Sequence, residues 1–193
     1  MVHDRATVTL WTAQRQVVLD TLMRDGIYMV KRAYIDEKYQ ETAWIFREAY
    51  SFFRETASSI LPPPEEAQSG IWLYQDLRWA GATADSLVLR LEVPVEQAIF
   101  FDLRLWNRIL NLQFLGKDLQ EEQAFARELE RLGLKSTMPL FQTPYYPLQR
   151  RAVRQSWKRL FEPPLPPETY RQAAVWVLEK EWLREVKYPE GTA

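Results

Sequence analysis

The chain has 193 residues with 8 Trp, 9 Tyr and 9 Phe, enough apolar material for a sizeable core, so one domain over residues 1–193, with its core at about 7–186, is expected. Its formal net charge of -1 and lack of cysteine exclude a global attraction to nucleic acid or anionic membrane, disulfides, thiolate catalysis and cysteine-ligated metals. The opening M-V-H-D-R-A-T has no apolar signal core and no later run reaches membrane length without charges, so a soluble cytoplasmic protein without a membrane partner is expected.

T-V-T-L-W at 7–11 predicts a strand, and Thr12 is placed to cap a helix whose Val17, Val18 and Leu22 lead to the Asp25-Gly26 stop. Residues 27–35 alternate in the way of a second strand. The opening therefore reads β-α-β. Asp36 is expected to cap the longest helix, in which Tyr39, Ala43, Phe46, Tyr50, Phe53, Ala57 and Ile60 recur at spacings of four and three. That stripe is broad, so packing on a sheet is preferred to a coiled coil. Pro62, Pro63 and Pro64 end it.

Residues 71–79, 87–94 and 98–102 read as three strands, followed by a helix over 103–111 opened by Asp102. Gly81 and Asp85 lie between the first two strands, which predicts an antiparallel hairpin with Asp76, Arg78, Arg90 and Glu92 on one side of the sheet. Two readings of that side stand: a pocket wall, or a solvated face with cross-strand ion pairs. Asp118 with Glu121 opens a charged peripheral helix that Gly133 stops. Residues 135–146 read as irregular, or as a short strand near 138–142. Pro147 starts a helix with Val153, Trp157, Leu160 and Phe161 on its apolar side, and a last helix is expected over 168–186. The fold class is α+β: a small antiparallel or mixed sheet with an opening β-α-β unit, a long packed helix and C-terminal helices.

His3 is the sole histidine, which argues against a Ser-His-Asp triad, a histidine metal site and histidine acid-base work. Six scattered glycines form neither a G-x-G-x-x-G fingerprint nor a Walker loop. One candidate constellation joins Trp11, Thr12 and Gln14 with Tyr28, Lys31 and Tyr34 and with Trp72, Tyr74, Asp76 and Glu92. Aromatic walls stack flat rings while a few polar groups orient them. The same residues also suit an ordinary core, with Thr12 merely a cap. Asp76 and Glu92 form a candidate catalytic carboxylate pair, against the simpler reading of ion pairs with Arg78 and Arg90. The second candidate is a phosphate-binding stripe of Arg150, Arg154 and Lys158 at four-residue spacing, beside Arg151 and Arg159. Solvation, or pairing with the acidic helix at 118–130, is the competing reading. Nucleic acid is the disfavoured partner, and the phosphate of a small nucleotide lies between the two.

T-L-W-T-A-Q at 9–14, D-G-I-Y-M-V-K-R-A-Y-I-D-E-K-Y at 25–39, L-E-V-P at 91–94 and F-D-L-R-L-W-N-R-I-L-N at 101–111 together resemble a bacterial domain-of-unknown-function family, number 3841. The likeness runs from Val8 to about Val186. It implies bacterial origin and a stand-alone domain, and no mechanism. A looser similarity, in the order strand, helix, strand, is to ADP-ribosyltransferase-like domains, which bind NAD in a cleft between small sheets. That resemblance implies Thr12 and Gln14 positioning a ribose or amide, Tyr28 and Trp72 stacking the nicotinamide, and Glu92 activating the acceptor. Those families commonly place His or Arg on the first strand, where this chain has Trp11. The leading expectation is a cleft for a nucleotide or NAD-like small molecule. The competing one is a non-enzymatic protein-protein interaction module, accessory to a defence or toxin-antitoxin system. Oligomeric state stays open.

Overall fold

Alternation of buried Leu10 and Thr12 with less buried neighbours makes Thr7–Gln14 a strand, β1. A computed structural model describes residues 6–81 and 83–188, and His3 lies outside the described residues. Helix α1 (Gln16–Asp25) buries Val18, Leu19 and Leu22, and Gly26 ends it at φ 81°, its N–H reaching the Leu22 carbonyl. Strand β2 (Ile27–Tyr28) follows, then α2 (Arg32–Tyr39), a 3₁₀ turn (Gln40–Thr42) and α3 (Ala43–Ala57). The middle of the chain holds β3 (Ile71–Tyr74), β4 (Leu87–Pro94) and β5 (Ile99–Asp102). Four helices come next, α4 (Leu103–Leu110), α5 (Leu119–Arg131), α6 (Met138–Gln142) and α7 (Pro147–Ser156), the last continued by a 3₁₀ turn (Trp157–Phe161). The chain closes with β6 (Arg171–Val175), β7 (Leu178–Glu179) and β8 (Leu183–Lys187).

Among the described residues six strands form one antiparallel sheet in the order β5-β6-β3-β1-β4-β8, and β2 pairs with β7 in a separate ribbon. The class is α+β, as expected. Each face carries its own core. On one, α1 packs Val18, Leu19 and Leu22 against Leu10, Leu73, Leu89 and Leu91. On the other, Phe52 and Phe53 of α3, Trp106 of α4 and Val153 of α7 pack with Ile99, Phe101 and Ala174 of β5 and β6. No helix among the described residues is long and apolar enough to cross a membrane.

Several expectations are corrected. The predicted hairpin does not form, because β1 lies between β3 and β4 and pairs with β4 throughout, from Thr7 opposite Pro94 to Gln14 opposite Leu87. The strand ends at Tyr74, since the Asp76 carboxylate accepts the Arg78 N–H and turns residues 77–79 into 3₁₀. The second strand stops at Tyr28: after one bridge, Val30 to Ser69, residues 32–35 are helical and only Ile35 of them is buried. β1 and β2 thus belong to different sheets, and Asp36 sits inside α2, where it pairs with Arg47 at 2.8 Å rather than capping. Thr12 is not a cap either; Arg15 holds that position with no side-chain bond.

The expected strand near 138–142 is the short helix α6, with Pro139 in its first turn. The expected last helix is replaced by β6, β7 and β8. Gln172, Ala173, Ala174 and Val175 are all buried, the mark of a strand covered on both faces, whose sequence carries no alternation. The caps by Asp102 and Asp118 form as expected, each accepting a backbone N–H at 2.8 Å, from Arg104 and from Glu121.

Candidate functional site

The sheet constellation is distributed over two faces. Thr12 is 2% exposed, and its Oγ1 donates to the Trp72 carbonyl at 2.9 Å while accepting from Gln14 Nε2 at 2.8 Å. Tyr28 packs against the same core as Thr12's neighbour Leu10, and burial raises its hydroxyl pKa. Lys31 is exposed just before α2. Trp11, opposite Tyr74 and Arg90, faces the other way, with Lys187 Nζ 4.9 Å from its ring centre. Trp72 lies in an aromatic cluster, 4.9 Å from Phe53, 4.8 Å from Trp106 and 5.1 Å from Tyr50 between ring centres. These aromatic rings are therefore not gathered around one hollow. The two carboxylates each have local partners: Asp76 bonds Arg78, while Glu92 accepts from Thr9 Oγ1 at 2.7 Å and meets Arg90 at 3.5 Å.

The basic stripe is brought together. Helix α7 starts at Pro147, whose fixed φ suits a first turn, and buries Val153 against α3 and α4 side chains. The helix and the 3₁₀ turn that continues it set Arg150, Arg151, Arg154 and Lys158 along a cavity of about 340 Å³ whose other wall is Phe52 and Glu55 of α3. Arg154 crosses the cavity, pairing with Glu48 and, at 3.0 Å, with Glu55. Arg150, Arg151 and Lys158 are exposed and form no ion pair with any described residue. Arg159 is the one that meets the acidic α5, at 2.9 Å from Glu121.

A smaller cavity of about 140 Å³ lies on the other side of Glu55, lined by Arg32 of α2 and by Arg47, Tyr50, Ser51 and Arg54 of α3. These residues escape a reading for apolar periodicity because they are the polar face of the long helix. The seven-residue interval from Arg47 to Arg54 places them one above the other, and that spacing was the available signal. Burial, then the neighbouring Tyr39, pushes the Tyr50 hydroxyl well above its ordinary range.

Arginine is always charged and presents a planar fork of donors matched to phosphate and carboxylate. The lining of the larger cavity holds four cations and one carboxylate, Glu55, which shares Arg154 with Glu48. This lining is complementary in charge to an anion. It offers no histidine or thiol for proton transfer or attack, and no cluster of three metal-ligating side chains occurs among the described residues.

No curated protein and no solved structure matches the chain, and the looser likeness to ADP-ribosyltransferase-like domains is without support. A family model described as Domain of unknown function (DUF3841) matches residues 9–184, and the chain belongs to that family.

Proposed function

We propose that this chain binds a small phosphate-bearing ligand of nucleotide size in the groove between α3 and α7. The carrying observation is that Arg150, Arg151 and Lys158 share one cavity with Arg154 and have no carboxylate of their own among the described residues. Several arginines outside the groove sit beside acids, as Arg24 does with Asp25, Arg78 with Asp76, Arg104 with Asp102 and Arg108 with Glu122. Like charges four residues apart on a helix repel by roughly 0.2–0.5 kcal/mol per pair, so the stripe disfavours α7 until an anion neutralises it. The cavity, near 340 Å³, falls in the range of small-ligand pockets, and a net charge of -1 supplies no long-range pull on a polyanion. The reading moves the nucleotide from a cleft between sheet segments to a helical groove, with α3 and α7 as its walls.

Calorimetric titration with AMP, ATP and inorganic phosphate tests it. AMP or ATP binds the wild type, and the double change Arg150→Ala, Lys158→Ala weakens that binding at least tenfold, as expected for loss of charge-assisted bonds worth about 1.5–3 kcal/mol each. Absence of binding in the wild type, or equal binding in the variant, removes the proposal. A second reading, docking of an acidic peptide, is favoured by Tyr145 and Leu148, 79% and 73% exposed beside the start of α7. Binding of an acidic, aromatic-rich peptide with no response to AMP or ATP decides for it.

A further inference from the structure

The two cavities share a wall. Glu55 lines both, and each of its carboxylate oxygens is engaged: Ser51 Oγ donates to Oε1 at 2.9 Å and Arg154 Nη2 to Oε2 at 3.0 Å. Arg154, shared with Glu48, offsets part of the negative charge of this partition, and both of its oxygens are held by donors. Beyond it the smaller cavity repeats the chemistry of the larger one. Arg32 is exposed with no ion pair to any described residue, Arg47 pairs with Asp36 at 2.8 Å, and Arg54 uses Nε for the Ala67 carbonyl at 3.2 Å. Tyr50, Ser51 and Gln68 add to the lining. At about 140 Å³ this space is under half the other and too small for a second nucleotide, but it is lined by three guanidinium groups.

We infer that the smaller cavity is a second anion subsite, so that the ligand is a nucleotide carrying two phosphate groups, its body against α7 and its second phosphate on Arg32, Arg47 and Arg54. This rests on the groove reading above and adds the number of anionic groups the ligand must carry. Arg32 from α2 and the arginines of α3 approach that subsite from two elements, a geometry that selects for charge placed beyond Glu55.

The test compares AMP, ADP and adenosine 3′,5′-bisphosphate by calorimetry on the wild type and on Arg32→Ala, Arg47→Ala. In the wild type at least one of the two doubly phosphorylated nucleotides binds about tenfold more tightly than AMP, a step of roughly 1.4 kcal/mol. In the variant that advantage disappears while AMP affinity stays within about twofold. Should the double variant melt early, Arg32→Ala alone, an exposed position with no ion pair to lose, is expected to halve the advantage or more. A wild type that binds AMP but gains nothing from either second phosphate overturns the inference and leaves the groove reading intact. So does an advantage that survives both variants. A wild type that binds none of the three removes both.

Discussion

Thr12 shows how one side chain serves a different end from the one its local sequence suggests. Followed by a helix, it has the look of a cap, yet it lies in β1 with its hydroxyl donating to the Trp72 carbonyl and accepting from Gln14. Replacing it with valine keeps the shape and removes both bonds, leaving the Trp72 carbonyl without its hydroxyl partner beside a position that is 2% exposed. Thr12→Val is expected to lower unfolding stability by about 1–3 kcal/mol, the cost of unsatisfied buried polar groups, and urea denaturation reads it. A result within about 0.5 kcal/mol of wild type would place the hydroxyl outside the structural network. Asp102 is the opposite case, a cap legible from its position before an apolar run, because capping depends only on neighbours three residues away. Partial burial, the largest influence, pushes its carboxyl up, but the Arg104 side chain with the Arg104 and Leu105 backbone N–H groups prevail and leave it below the ordinary value. A carboxyl depressed in the folded state stabilises above its unfolded pKa of about 3.9 and loses that contribution as pH falls through the folded value. Asparagine can still cap but carries no charge. The difference in melting temperature between wild type and Asp102→Asn is therefore expected to stay flat from neutral pH to about pH 4 and to shrink below it; a difference that grows in acid would reverse the assignment.

Elements defined by their own periodicity were readable, and those defined by a distant partner were not. The stripe of α3, the cap at Asp118 and the stop at Gly133 form where local chemistry places them. Strand β1, by contrast, inserts between β3 and β4, an arrangement set by pairing across about 80 residues that no window of sequence contains. Strand β6 misled for a different reason: Ala173 and Ala174 favour a helix by propensity, and burial on both faces erases the alternation that would correct it. The basic stripe on α7 was legible because four-residue spacing fixes one helix side, whereas its partner wall on α3 depends on how the two helices meet. The junction from α4 to α5 shows how tightly such meetings are fitted. Gly116 donates its N–H to Glu122 Oε1 at 2.8 Å, and Arg108 grips the same carboxylate at 2.8 Å. A Cβ at position 116 would stand 2.9 Å from the Glu122 backbone nitrogen and 3.1 Å from the Asp118 carbonyl. Backbone cannot yield as a side-chain tip can, so Gly116→Ala displaces the first turn of α5. The expected loss is about 1–3 kcal/mol, or roughly 2–4 °C in melting temperature per kcal/mol for a chain of this size. An unchanged melting curve would mean that the turn has room to move.

Across the whole molecule, a net charge of -1 conceals an uneven distribution. Glu121 and Glu122 of α5 and the turn acids Asp76 and Asp102 are each paired with an arginine, while the groove flanked by α3 and α7 gathers Arg150, Arg151, Arg154 and Lys158 with one acid, Glu55, in its lining and Glu48 paired to Arg154. Charge held in this way has opposite consequences for the free and the bound protein. Without ligand, Arg150 and Lys158 repel Arg154 at four-residue spacing, so Arg150→Ala, Lys158→Ala is expected to leave stability unchanged or to raise it by up to about 0.5–1 kcal/mol. With a nucleotide present at about one hundred times its dissociation constant, the wild type gains about 2.7 kcal/mol by mass action and the variant gains much less. The order of the two melting temperatures should therefore invert when nucleotide is added. Raising the salt concentration should weaken the wild type's gain, because the groove is open to screening ions. Cations that merely supported α7 would instead lower the melting temperature of the free variant, and the order would stay the same with and without ligand. Differential scanning calorimetry of both proteins, with and without ATP, at low and high salt, separates these outcomes.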